Sequence, residues 1–157
     1  MLRNLFLLRS AYVLLFVGVI AVNGAANALP INGLTTGAVS DLYPNLFTPA
    51  GFAFSIWGLI YSGLLAFLIR ILTTSDTELV GKLFPWFAMN SLANMAWIFA
   101  WHHLQVVTSL VLMLVLLVSL IYITAELRSS SRSSKEIRFF NAVFEVYLGW
   151  ITVATVA

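Results

Sequence analysis

The stretch "LFPWFAMNSLANMAWIFAWHHLQVVTSLVLMLVLLVSLIYITA", residues 83–125, contains no Asp, Glu, Lys or Arg. As one straight helix rising ~1.5 Å per residue it would reach about 64 Å, roughly twice the hydrocarbon thickness of a bilayer. It must therefore fold back. The polar run His102-His103-Leu104-Gln105 is the one break available, so the reading is two antiparallel spanning helices joined by a tight turn.

The rest of the chain agrees. Hydrophobic residues make up 61% of it and charged ones 9%, against about 25% charged in a soluble domain. A bilayer is the solvent that suits this composition, and in lipid each segment must satisfy its own backbone polar groups, which selects helices. Five spans result, at roughly 5–28, 49–70, 84–102, 105–126 and 139–157. They predict an all-α fold: one integral-membrane, multi-pass, five-helix bundle. The apolar run from Ala11 to Ala28 is too long for a signal peptide and reads as a retained helix. Thr48 is the expected N-cap of the second span, with Pro49 at its first helical position, and Pro85 opens the third. The fifth is still apolar at Ala157, and the expectation is a chain cut short there.

Residues 29–48 form a turn-rich loop with Asn32-Gly33, Gly37 and Pro44; loops of that length in compact folds are often lids. "RSSSRSSKE", residues 128–136, reads as a solvated basic connector. Under this topology Arg3, Arg9, Arg70, Lys82, Arg128, Arg132, Lys135 and Arg138 all fall on one side, and the other side carries only Asp41. The positive-inside rule makes the N-terminus cytoplasmic and the long loop external. A net charge of +2, with no basic stretch interleaved with aromatics, argues against nucleic acid. The absence of cysteine excludes disulfides, thiolate metal sites and thiol catalysis.

Within the spans, Gly51, Ser55, Gly58 and Ser62 share one helix face, where small residues allow close helix approach. On that ground Gly58→Leu is expected to disrupt packing more than Gly63→Leu. Phe54, Trp57 and Tyr61 occupy a neighbouring face, presented either to other helices or to a ligand. In the third span Asn90, Asn94, Trp97 and Trp101 form a single stripe of two amides and two indoles. Amides do not face lipid unpaired. The stripe points inward, as interhelical hydrogen bonding or as the wall of a pocket for a flat, mostly apolar ligand. Asn23 and Asn27 lie one turn apart near the outer end of the first span, and Tyr147, Trp150 and Ala154 share a face of the fifth. The fourth span, nearly all Leu, Val and Ile, reads as lipid-exposed and without specificity. His102 and His103 are adjacent, hence about 100° apart on a helix, and read as an interfacial turn rather than a metal pair. Glu145 is either functional or snorkels to the interface. No carboxylate pair, no nucleophile with its base and no phosphate loop is visible, so no catalytic or metal-binding residue is assigned.

These residues resemble the TspO/MBR family, the tryptophan-rich sensory proteins related to the translocator protein (peripheral benzodiazepine receptor). "FTPAGFAF" followed by Trp57-Gly-Leu-Ile-Tyr61 is similar to the family's loop-to-second-helix signature. Asn94-Met-Ala-Trp97, with Asn90 where the family usually has Gln, is similar to its third-helix motif, and Tyr147-Leu-Gly-Trp150 with Ala154-Thr155 to its fifth-helix motif. Departures are Ala50 and Val146 where prolines are common, and a region around Ser55-Ile56 apparently one residue shorter. In this the chain is similar to a longer branch of the family with further helices after the fifth.

The resemblance implies a five-helix bundle, often a homodimer, in a bacterial cell membrane, with a pocket under the long first loop. It implies a ligand that is a tetrapyrrole such as porphyrin or haem, or a sterol-like molecule, bound by a sensor or transporter. The ligand-binding residues would be Phe54, Trp57, Tyr61, Asn90, Asn94, Trp97, Trp101, Tyr147, Trp150, Ala154 and Asn27. Porphyrin enters as ligand, and no cofactor is assigned. Two other readings stay open: tryptophan-assisted oxidative degradation of a bound porphyrin, and an assembly subunit without a small ligand.

Overall fold

The computed structural model describes residues 2–29, 31–129 and 135–156. Arg132 and Ser130 of the basic connector and the terminal Ala157 lie outside the described residues. The described chain is helical, without strands. Its long helices are α1 (Leu2–Ala28), α3 (Ile56–Thr73), α4 (Thr77–His102), α5 (Val106–Ser129) and α6 (Lys135–Val156), and a short α2 (Thr36–Ser40) lies in the first loop. Helix α1, the segment Gly51–Thr73, α5 and the Ile137–Val156 part of α6 are each long and apolar enough to cross a membrane. At 26 residues, α4 is as long as these, but its amides and Pro85 make it less apolar.

The helices close a ring in the order α1, α4, α5, α6, α3 and back to α1. Sequence neighbours α4 and α5 form the hairpin that the uncharged run required. Its turn follows from local chemistry. Helix α4 ends at His102, His103 is its C-cap, and Leu104 takes the left-handed conformation at φ 57°. The Gln105 N–H then bonds Ala100 O at 2.9 Å and the Leu104 N–H bonds Trp101 O at 3.0 Å, the two closing bonds of a Schellman motif.

Two helix starts differ from expectation. Residues Gly51–Ser55 form a 3-10 turn, and α3 begins only at Ile56. Thr48 therefore caps no α-helix; its hydroxyl accepts from the Asn45 N–H and donates to Tyr43 O within the loop. Helix α4 begins well before Pro85, at Thr77, because the Asp76 carboxylate caps it by accepting from the Leu79 N–H at 3.1 Å. Pro85 sits inside the helix, where its missing N–H leaves the Gly81 carbonyl without the usual partner.

Packing also corrects two readings of faces. Gly51, Ser55, Gly58 and Ser62 are all exposed within the chain. The close approach happens at buried Gly63 instead, where a Cβ would lie 2.6 Å from Val143 Cγ1 of α6. A Cβ on Gly58 would meet nothing within 4 Å. Helix α5 is not merely lipid-facing: Met113, Leu116, Ser119, Leu120, Ile123 and Leu127 are buried.

Asp41 of the long loop apart, the charged groups of the described residues gather at one end of the ring. Arg9 donates to the carbonyls of Ile71 and Thr74 at the end of α3. Lys82 bridges Glu78 at 3.0 Å and Glu126 at 3.5 Å, and its pKa is raised above the ordinary lysine value, first by the hydrogen bond to Glu78. Glu145 accepts from Arg128 and from Asn141, an ion pair between α5 and α6. The α4–α5 turn and the long loop lie at the other end.

Candidate functional site

Beneath the long loop the bundle contains two chambers. The first, about 290 Å³, is walled by Phe54, Trp57, Trp97, Trp101 and Trp150, with Tyr43 of the loop beside them. Ser109, Leu110 and Met113 of α5 and Ala154 of α6 complete it. The rings hold one another in place. Trp97 and Trp101 stack with centroids 5.9 Å apart and planes at 17°, as their one-turn spacing on α4 allows. Trp150 meets Phe54 edge-on at 5.6 Å and Trp57 edge-on at 6.3 Å. Tyr43 lies 6.1 Å from Trp101. Such a wall offers large apolar faces and few polar atoms, which suits a planar ligand.

The second chamber, about 330 Å³, lies between α1, α3 and the loop. Phe54, Trp57 and Trp97 line both chambers and so divide them. Asn23, Asn27, Thr36 and Tyr61 line only the second among these two.

The expected site residues thus separate into three groups. Phe54, Trp57, Trp97, Trp101, Trp150 and Ala154 come together around the first chamber. Tyr61 and Asn27 belong to the second. Asn90, Asn94 and Tyr147 line neither. They form buried hydrogen bonds that tie helices: Asn90 donates to Ser119 Oγ of α5 at 2.9 Å. Asn94 accepts from Asn23 of α1 at 2.7 Å and donates to the Tyr147 hydroxyl of α6 at 3.2 Å. The inward stripe of α4 is real, but its lower half packs and its upper half lines.

Sequence reasoning missed the α5 wall and Tyr43. The only signal in α5 was Ser109 and Met113, one turn apart in a run of Leu and Val. It also missed what His102 does. This residue is fully buried, with Nδ1 3.1 Å from Ile31 O and Nε2 3.1 Å from Thr36 Oγ1. Since a carbonyl only accepts, Nδ1 donates to Ile31 O, and in that tautomer Nε2 accepts a hydrogen bond from the Thr36 hydroxyl. The Trp101 indole N–H bonds Thr36 O at 3.1 Å, and Asn32 donates to His102 O at 3.0 Å. Together these bonds fasten the loop over both chambers.

Comparison of the chain with curated proteins and with solved structures returns no match. A family model described as TSPO-like protein matches residues 9–157, nearly the full length, including every residue that lines the two chambers. With its ring of apolar helices and that match, the chain is a multi-pass membrane protein that belongs to the TSPO-like protein family.

Proposed function

We propose that the protein binds a flat, mostly apolar molecule in the aromatic chamber, with a porphyrin-type ring as the leading class and a sterol-like one second, and acts as its sensor or carrier. The observation that carries this reading is the wall itself: four tryptophans, Phe54 and Tyr43 converge on one cavity of about 290 Å³. That volume is at the low end of the ~300–1,000 Å³ of small-molecule sites. The chamber therefore takes a fused-ring ligand whole, or one edge of a macrocycle with Tyr43 displaced. Loop placement supports an external mouth, with the basic end of the bundle cytoplasmic.

Titration with protoporphyrin IX, followed by quenching of tryptophan fluorescence, tests the reading. Ala154→Phe fills the chamber without removing an existing contact, so affinity should fall roughly tenfold or more, ~1.4 kcal/mol or above. An unchanged titration in that variant would place the ligand elsewhere. Absence of saturable binding in the unaltered protein would favour an assembly role.

A further inference from the structure

We propose that the tip of the long loop, residues 42–52, is an interfacial membrane anchor, whose apolar side chains seat at headgroup level in the lipid leaflet at the loop end of the bundle. The inference does not depend on what the chambers bind. Three observations lead to it.

The first is exposure. Leu46 is 99% exposed, Phe52 82% and Phe47 67%, and Leu42 is exposed as well. This matches Phe6 and Leu14 on the spanning helix α1, where lipid covers what the chain does not. Phe54, two residues beyond Phe52, turns inward against Trp150 instead. A run of large apolar side chains turned away from the protein marks an interaction surface.

Continuity with the lipid-facing surface is the second. Residues 42–69 contain no Asp, Glu, Lys or Arg. The tip therefore runs without a charge into Gly51–Thr73, the segment long and apolar enough to cross the membrane, and Phe52 belongs to both. The turn at the other end of α3, residues 73–78, is Thr-Thr-Ser-Asp-Thr-Glu, polar throughout as befits a turn in water.

The third observation is the backbone. Irregular chain meets lipid only where its polar groups are satisfied, and this tip satisfies its own donors. Of the six N–H groups in residues 42–48, five bond within the loop: Leu42 to Val39 O, Tyr43 to Ser40 O, Asn45 to Thr48 Oγ1, Phe47 to Asn45 Oδ1 and Thr48 to Asn45 O. Pro44 has no N–H to satisfy. A protein partner is usually met through a polar rim that offers hydrogen bonds; here those donors are already spent and no charge accompanies them. Because the segment is not helical, it stops at the interface, where apolar side chains reach the acyl boundary and aqueous reagents still arrive. Tyr43 and Pro49 of the same tip line the aromatic chamber, so the anchor also sets where that chamber's edge meets the membrane.

The chain has no cysteine, so single cysteines can be introduced and spin-labelled one at a time. The test uses the full chain in phosphatidylcholine nanodiscs, with nitroxides at Leu42→Cys, Leu46→Cys and Phe47→Cys. Ser75→Cys, in the exposed turn after α3, is the water reference, and Leu59→Cys, exposed within α3, is the lipid reference. Collision with molecular oxygen, which concentrates in lipid, and with a water-soluble nickel chelate reads the depth of each label. The oxygen-to-nickel ratio at all three loop positions should lie several-fold above that of Ser75 and below that of Leu59. Leu46→Asp and Phe47→Asp together should return the Leu42 label to the Ser75 ratio. The melting temperature should not change, since both side chains are exposed. Loop ratios equal to that of Ser75 would put the tip in water and overturn the proposal. Weak collision with both reagents would mean that protein, such as a second copy of the chain, covers the tip, and would overturn it equally. An unchanged Leu42 ratio in the doubly charged variant would overturn the role of Leu46 and Phe47.

Discussion

Asn94 is wholly buried, and both ends of its amide are engaged by different helices, Asn23 of α1 and Tyr147 of α6. Asn94→Leu would strand the Asn23 amide hydrogen and the Tyr147 hydroxyl together. Interhelical side-chain bonds in lipid average only about 0.6 kcal/mol, whereas a buried polar group left without a partner costs about 1–3 kcal/mol. The second figure governs here, because neither orphan has water to turn to. The variant should melt well below the unaltered protein in detergent, and the surviving folded fraction should titrate protoporphyrin normally. Unchanged melting with weakened titration would return Asn94 to the ligand. That the stripe of Asn90, Asn94, Trp97 and Trp101 faces inward was legible from its spacing. Which of its members pack and which line a cavity was not, because Ser119, Asn23 and Tyr147 come from three other helices.

At the level of helices, the clearest reversal concerns glycine. A run of Gly51, Ser55, Gly58 and Ser62 looks like a packing face, yet α3 turns that face outward. Gly63, which lies outside that run, meets Val143 instead. Gly63→Leu should therefore destabilise the bundle by more than the ~1–3 kcal/mol of ordinary overpacking, since backbone of α3 and α6 must separate. Gly58→Leu should leave the melting temperature nearly unchanged. Thermal unfolding of the two purified variants decides it, and a greater loss for Gly58→Leu would contradict the α3–α6 contact. The face was unreadable because the residue that sets it, Val143, is far along the chain. Helix starts were misread for a local reason. Pro85 is a strong start signal, but the Asp76 carboxylate caps α4 two turns earlier.

For the molecule as a whole, ring closure brings the charged ends into register: Arg9 against the end of α3, Lys82 against Glu126, Arg128 against Glu145. Exposed ion pairs add little stability. Leu46, 99% exposed in the loop, and Ser75, exposed between α3 and α4, mark opposite ends of the bundle. Cysteines placed at these two positions should react with an impermeant maleimide from opposite sides, Leu46→Cys from outside intact cells and Ser75→Cys only after permeabilisation. Labelling of both from outside would refute the crossing pattern.

Solvent, helix count and the α4–α5 hairpin were determined by the sequence alone. They depend on quantities summed along the chain, namely apolar length, the spacing of charges and one polar break at His102–Gln105. The residue classes of the site were legible as well, because amides and indoles in lipid demand an inward face. The division of those residues into an aromatic chamber, a polar chamber and a hydrogen-bonded floor was decided only by the tertiary structure. So was the fastening of the loop by His102 to Ile31 and Thr36. The physical reason is the same throughout: a periodic pattern fixes the direction of a side chain about its own helix, but the helix or cavity it meets is set by rotations of five helices relative to one another.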